Sequence, residues 1–325
     1  MWNFCFLSVF LSCFYLIVTH GAVMHSHSQH LNREREQDGA YSPKDRGHLS
    51  DSGEHHSEFD HEAILGSVKE AEEFDHLSPE ESKKRLAILL TKMDLNGDKK
   101  IGRKELQAWI LRSFKMLTEE EAQERLEDAD ENNDFKVTWE EYIQDTYGME
   151  DSNEIASDNE QLMKDDNDMW KIADVNGDGI LEGEEWVAFT HPEEHPAMIP
   201  FILDQTLREK DLDGDKTITF QEYIGERGRE HDKEWLHVEK QKFDNELDKN
   251  HDGKLTGEEI VSWLIPSNDE IAQEEVDHLF ATSDDDHDEM LSFDEILEHH
   301  DIFVGSEATD YGDHLHNIHH FDDEL

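Results

Sequence analysis

The stretch Asp174-Val175-Asn176-Gly177-Asp178-Gly179-Ile180-Leu181-Glu182-Gly183-Glu184-Glu185 places oxygen donors at positions 1, 3, 5, 9 and 12 of a twelve-residue loop. That spacing suits calcium, a hard cation that takes about six to eight oxygens in a flexible shell. Asp174, Asn176 and Asp178 offer single side-chain oxygens, Ile180 its backbone carbonyl and Glu182 a direct or water-borne contact, while Glu185 closes the site with two oxygens. Gly179 stands where the chain turns sharply and positive φ is needed. Leu181, one residue after the carbonyl donor, is apolar, as a short antiparallel link to a second such loop requires.

The template occurs six times. Loops begin at Asp94, Asp130, Asp174, Asp211, Asp248 and Asp284, in steps of 36, 44, 37, 37 and 36 residues. A repeat of this kind sets the architecture. The remaining ligand sets are Asp94, Asn96, Asp98, Lys100 and Glu105; Asp130, Asn132, Asp134, Lys136 and Glu141; Asp211, Asp213, Asp215, Thr217 and Glu222; Asp248, Asn250, Asp252, Lys254 and Glu259; and Asp284, Asp286, Asp288, Met290 and Glu295. In each, the fourth residue named donates its backbone carbonyl. Position 8 is apolar throughout (Ile101, Val137, Leu181, Ile218, Leu255, Leu291), and position 13 is Leu106, Tyr142, Trp186, Tyr223, Ile260 or Ile296.

The loops are unequal. Only loops 3 and 5 have glycine at position 6, Gly179 and Gly253; the others carry Lys99, Phe135, Lys216 and Glu289. Holding a side chain at positive φ costs about 1–2 kcal/mol, and about 1.4 kcal/mol is a tenfold change in affinity. Up to six calcium ions are expected, with loops 3 and 5 the strongest sites. Each weaker loop has the alternative of a structural hand that pairs without metal, and Asn96-Gly97 in loop 1 and Asn132-Asn133 in loop 2 offer the turn another place to form.

Helical patterns flank the loops. Ser78-Pro79-Glu80-Glu81 reads as a helix start, and Leu86, Leu89, Leu90 and Met93 form an apolar face running into loop 1. The second hand is expected to enter over Glu120–Ala129 and leave over Glu140–Tyr147, and the prolines of His191-Pro192-Glu193-Glu194-His195-Pro196 to end a helix near Thr190. The fold expected is all-α: six EF-hand helix-loop-helix units in three pairs, with short antiparallel β links between paired loops and a disordered N-terminal arm. Spacing suggests pairing 1 with 2, 3 with 4 and 5 with 6.

Residues 1–21 lack any Asp, Glu, Lys or Arg and contain an apolar run, Phe4 to Val18, which reads as a signal peptide or, alternatively, a signal anchor. Both cysteines, Cys5 and Cys13, lie within it, so the mature chain is expected to have no thiol and no membrane span. Residues 22–76 form an acidic arm with His25, His27, His30, His48, His55, His56, His61 and His76, read as solvated or as a zinc or copper site. Then come the first pair over 77–147, a linker with the second pair over 148–226, the third pair over 227–300, and an acidic tail over 301–325. The linker's acidic, small-residue run reads as a domain boundary.

The formal net charge of −53 falls wholly after residue 21, and only 35% of residues are hydrophobic. Clustered carboxylates repel one another and weaken a compact state, so partial disorder relieved by calcium is expected. Nucleic acid is not an expected partner, because the chain lacks a basic stripe. No nucleophile and base arrangement stands out, so catalysis is not expected. The last residues, Asp322-Asp323-Glu324-Leu325, approximate the terminal address read by the endoplasmic reticulum retrieval receptor, with Asp322 in place of the basic or histidine residue.

Several stretches are more specific than the loops. Ser82-Lys83-Lys84-Arg85-Leu86, His191-Pro192-Glu193-Glu194, Glu222-Tyr223-Ile224-Gly225 and Phe303-Val304-Gly305-Ser306-Glu307-Ala308-Thr309-Asp310 resemble the calumenin and reticulocalbin family of multiple EF-hand secretory-pathway proteins. The resemblance runs from about Ser78 onward. It implies low-affinity calcium binding in the endoplasmic reticulum lumen and modulation of client proteins, with no catalysis. A monomer is expected, with some passage to the Golgi or secretion if retrieval leaks. A client-binding regulator and a passive calcium store both remain open. Trp109, Trp139, Trp170, Trp186 and Trp263 read as core or as recognition pockets.

Overall fold

A computed structural model describes residues 35–46, 48, 56–148 and 160–306. The expected signal peptide, the linker run from 149 to 159 and the tail from 307 with its retrieval-like end lie outside the described residues. Two short helices come first, α1 (Glu58–Leu65) and α2 (Val68–Asp75). Hand 1 is α3 (Pro79–Met93), strand β1 (Lys100–Gly102) and the first part of α4 (Arg103–Ala129). Hand 2 uses the rest of α4, then β2 (Val137–Thr138) and α5 (Trp139–Tyr147). Hand 3 is α6 (Glu160–Ala173), β3 (Ile180–Leu181) and α7 (Glu184–Thr190), and hand 4 is α8 (Ile199–Lys210), β4 (Ile218–Thr219) and α9 (Phe220–Ile224). After α10 (Arg227–Glu230), hand 5 runs through α11 (Lys233–Lys242), a π-helical turn at Phe243–Leu247, β5 (Lys254–Leu255) and α12 (Gly257–Leu264). Hand 6 is α13 (Asn268–Ser283), β6 (Met290–Ser292), α14 (Phe293–Glu298) and α15 (His300–Phe303).

The pairing differs from the one the spacing suggests. Strand β1 joins β6, β2 joins β3 and β4 joins β5, all antiparallel, so the loops pair 1 with 6, 2 with 3 and 4 with 5. The physical reason is α4. Its 27 residues contain no glycine or proline, and Thr118, which looks like a cap for a new helix, turns its hydroxyl back onto the Phe114 carbonyl at 3.0 Å instead. At about 1.5 Å per residue the helix is about 40 Å long. Loops 1 and 2 sit at its two ends and cannot share a β link, whose strands lie about 4.8 Å apart.

Each link buries its apolar position 8. Ile101 faces Leu291, Val137 faces Leu181 and Ile218 faces Leu255, and all six side chains are fully buried. The position 13 residues lie beneath them, also buried, and three cores result. One gathers α1, α2, α3, the first half of α4, α13 and α14. Another holds the second half of α4 with α5, α6 and α7, where Trp170 and Trp186 pack with Tyr142 and Phe189. The third contains α8, α9, α12 and Phe243. Trp170, Trp186 and Trp263 are buried core, and Trp109 and Trp139 pack against it. The extra residues between hands 2 and 3 therefore join two hands of one core rather than separate two domains.

The arm also departs from expectation where it is described. Tyr41 is buried in the third core and donates its N–H to the Leu264 carbonyl at 2.8 Å. Asp38 meets the Lys242 ammonium at 3.0 Å. Burial opposes its ionisation, but the Ala40 N–H and Lys242 outweigh that and hold its carboxyl below the usual range. Lys44 reaches Glu194 at 2.8 Å and the Thr118 hydroxyl at 2.8 Å, tying the arm to α4 and to the His191-Pro192-Glu193-Glu194 link. Trp109 donates its indole N–H to the Ile64 carbonyl at 2.7 Å, fixing α1 on α4.

The end of hand 6 returns to the start of hand 1. Ser82 donates its hydroxyl to the Gly305 carbonyl at 2.8 Å, across 223 residues. Gly305 has φ +66°, and a Cβ there would lie 2.2 Å from Asp75 Oδ1 and 2.7 Å from the His61 ring. His61 itself meets the Asp301 carbonyl at 2.9 Å.

Two outcomes follow from this closure. In a chain starting at Ala22, Lys100→Cys with Ser292→Cys, register partners in the β1–β6 link, is expected to form an intramolecular disulfide on mild oxidation, whereas Lys100→Cys with Lys136→Cys is not; non-reducing gel migration reads both. Gly305→Ala is expected to destabilise the calcium-loaded fold by more than about 1 kcal/mol, because strain at positive φ adds to the clash, which thermal unfolding would register.

Candidate calcium sites

All six loops have the same backbone turn. Position 6 is left-handed in each: Lys99 (φ 66°), Phe135 (63°), Gly179 (81°), Lys216 (64°), Gly253 (87°) and Glu289 (62°). Position 4 is left-handed too, at Gly97, Asn133, Gly177, Gly214, His251 and His287. The turn therefore does not move to accommodate a side chain. Four loops carry the strain at position 6 instead, about 1–2 kcal/mol each.

Side chains of the loop hold this turn. The carboxylate at position 1 accepts the N–H of position 6, from Asp94 to Asp284, at 2.7–3.0 Å. At position 5, Asp98, Asp134, Asp178, Asp215, Asp252 and Asp288 each accept the N–H of position 7 at 2.9–3.1 Å. That N–H belongs to Lys100, Lys136, Ile180, Thr217, Lys254 or Met290, the residues at or just before the strands whose carbonyls complete the ligand set. The closing glutamate spans the loop. Glu222, for example, accepts the Leu212 N–H at 2.9 Å with one oxygen and the Thr219 N–H at 2.8 Å with the other. Burial opposes ionisation of Glu222 and Glu295, but these N–H and hydroxyl donors outweigh it and hold both carboxyls below the usual range.

The donors fit calcium. In loops 4 and 6, where position 3 is also acidic, three carboxylates (Asp211, Asp213, Glu222; Asp284, Asp286, Glu295) bring oxygens within 4.8 Å of one another. Asn96, Asn176 and Asn250 point Oδ1 into loops 1, 3 and 5, accepting the position 5 N–H at 2.8, 2.8 and 2.9 Å. In loop 2 the Asn132 amide nitrogen donates to Glu141 at 2.7 Å, as that of Asn176 does more loosely to Glu185 at 3.4 Å. Loop 3 has its own irregularity. Gly183 at position 10 has φ 53° and ψ −124°, and α7 starts without the side-chain cap of Thr138, Thr219 or Ser292.

The sequence reading missed how position 7 is used. Lys100 pairs with Asp288 of loop 6, Lys254 with Asp215 of loop 4 at 2.5 Å, and Lys136 with Glu182 of loop 3 at 2.5 Å. In every pair, a lysine that offers its carbonyl at home extends its ammonium to an acid of the partner loop. The Lys254 ammonium beside Asp215 holds that carboxyl down at about 2. The pairs are more than one-third exposed, so their contribution to stability is small. Their effect falls on calcium, because the ammonium engages ligands that the ion would use. Only knowledge of which loops pair reveals this.

Residues 240–299 match the EF-hand domain pair family and residues 171–190 the EF hand family. Reticulocalbin-2 of Crotalus adamanteus is 40% identical over 285 residues, covering 84% of this chain and 93% of the relative. Reticulocalbin-2 of Mus musculus and of Rattus norvegicus are each 38% identical over 285 residues, covering 84% of this chain and 89% of each relative.

Removing the strain should tighten a loop. Lys216→Gly is expected to raise the affinity of loop 4 by about tenfold, and Glu222→Gln to weaken it by a similar factor or more. Lys254→Met is expected to raise it as well, with a gain that shrinks as salt is added; calorimetric calcium titration at two ionic strengths checks all three.

Proposed function

The chain belongs to the calumenin and reticulocalbin family, and from that premise we propose that it is a low-affinity calcium-binding protein of the endoplasmic reticulum lumen that compacts on binding calcium and modulates client proteins. Six loops of one geometry, each pair resting on one apolar core, carry this reading. The ligands would be the six sets of oxygens described above. The ion supplies positive charge where carboxylates converge and joins each entering helix to the glutamate at the start of the exiting one. Without it, repulsion within a chain of net charge −53 opposes closure, so calcium binding is linked to compaction.

Strain at position 6 and the lysines at position 7 both act against tight binding. That suits a lumenal site, where modules with dissociation constants of about 10⁻⁴ to 10⁻³ M respond to calcium. Four apolar residues stand 71–83% exposed on the loops, Leu95, Phe135, Val175 and Leu212. Calcium fixes the backbone that presents them, which makes them the contact points for clients in this proposal. The retrieval receptor would take the Asp322–Leu325 end, with Asp322 weakening capture and allowing leakage. A passive store is the second reading, favoured by the helix faces already being covered by their partner hands, since buffer hands open little.

Titrating calcium into residues 22–325 while following far-UV circular dichroism and tryptophan fluorescence distinguishes these. A large helical gain with a midpoint of about 10⁻⁴ to 10⁻³ M is the expected result. Full helicity without calcium, unchanged as ions bind, would exclude the compaction step and leave the store.

A further inference from the structure

A cluster of metal-binding side chains lies away from the calcium loops. Asp60 on α1 is fully buried, with Oδ1 2.8 Å from Nε2 of His48 in the arm and Oδ2 3.7 Å from Nε2 of His278 on α13. The three ligand atoms lie within 4.8 Å of one another. Glu275, one turn before His278 on the same face of α13, is also buried, 2% exposed, and faces Asp60. The two imidazoles stand edge to face with centroids 5.7 Å apart, and His48 packs on Phe59 at 5.0 Å.

We propose that His48, Asp60 and His278 form a zinc site, with Glu275 buried beside Asp60, that fastens the N-terminal arm to the entering helix of hand 6. Two imidazoles and a carboxylate from three separate chain segments are a donor set for a borderline divalent ion, and imidazole is a poor ligand for calcium. Zinc holds nitrogen and oxygen ligands at about 2.0–2.2 Å in a tetrahedron, so ligand atoms stand about 3.3–3.5 Å apart. The separations of Asp60 from His48 and His278, 2.8 and 3.7 Å, lie on either side of that value. The carboxylates form the closed side of the site. The imidazole side chains, 16% and 29% exposed, form its edge toward solvent and give the ion a way in.

The ion does chemical work here that protein groups do poorly. Two carboxylates buried against each other repel when ionised, and a dication set among them removes that penalty. It also joins chain segments that have no β link between them. Helix α13 ends at Asp284, the first ligand of loop 6, so the site holds the arm against the helix that leads directly into a calcium loop.

Zinc taken up by other arm histidines would not depend on His278, which lies outside the arm, so His278 is the decisive side chain. The full chain from residue 22, in saturating calcium, is titrated with cobalt(II) as a spectroscopic probe and with zinc against a chelating dye. One equivalent of tetrahedral cobalt absorption, displaced by zinc, is expected. In His278→Gln and in Asp60→Asn that absorption is expected to vanish and zinc affinity to fall by at least about tenfold, with calcium binding and circular dichroism retained. Should Asp60→Asn fail to fold, His48→Gln at the solvent edge serves in its place. No tetrahedral cobalt signal, or full zinc affinity in His278→Gln, would overturn the assignment.

Discussion

An unbroken helix constrains everything else in this molecule. Because α4 carries hand 1 at one end and hand 2 at the other, neither can shelter its loop on the other. Hand 2 takes hand 3, hands 4 and 5 take each other, and hand 1 is left for hand 6. Joining the first and last hands closes a loop of about 190 residues instead of about 36. Closure entropy grows only by about 0.6 kcal/mol per doubling, so the longer loop costs about 1.5 kcal/mol more. Burying Ile101 and Leu291 in that link returns about 1.5–3 kcal/mol for each side chain. The distant partner is therefore affordable, whereas breaking α4 would expose the apolar residues that its two halves place in two cores.

The loops differ in backbone strain at position 6, and what that strain does depends on the fold around it. A loop with Lys, Phe or Glu at a left-handed position 6 is strained whether or not an ion is present, so the strain by itself weakens the fold rather than the binding. It weakens binding where the metal-free loop can relax, which a chain of such negative charge promotes once the ion leaves. In the proposed compaction, folding and binding are one equilibrium, and each strained residue would lower apparent affinity. The lysines at position 7 act in the same direction while the fold persists, by neutralising an acid across the link. Loop 3 has neither the position 6 strain nor a lysine of its own. It does receive Lys136 from loop 2, and its irregular start to α7 sets it apart from loop 5.

Most of the fold was legible because the EF-hand template fixes residue types at fixed positions. The six loops, the buried eighth and thirteenth positions and the helix start at Pro79 could be read from spacing, whereas the left-handed sixth residue of loops 1 and 2, where Asn96-Gly97 and Asn132-Asn133 offered another turn, could not. Pair identity could not. Spacing along the chain favours neighbours, and what spoke against it was the absence of any glycine or proline between Leu106 and Ala129. The described part of the arm departs from its reading for a related reason: its polar composition hid Tyr41 and Ala40, which belong to a core built mainly from residues 202–264. The lysine crossovers and the His48, Asp60 and His278 cluster depend on contacts between distant segments and leave no local signal.

Ring closure also changes what calcium binding at one hand means for another. Hands coupled through a β link share a core, so in the proposed compaction an ion at loop 1 would stabilise loop 6, at the far end of the repeat array. Loop 2 sits at the other end of α4, and its partner is loop 3. The pairs on which calcium would act are defined by topology, and one of them joins the first and last hands. Ser82 and Gly305, from two of the stretches that carry the family resemblance, meet at that junction. Their specificity beyond the EF-hand template follows from this contact: the loops need only the ion's chemistry, whereas the closure needs a hydroxyl on α3 and, facing it, a residue with no Cβ.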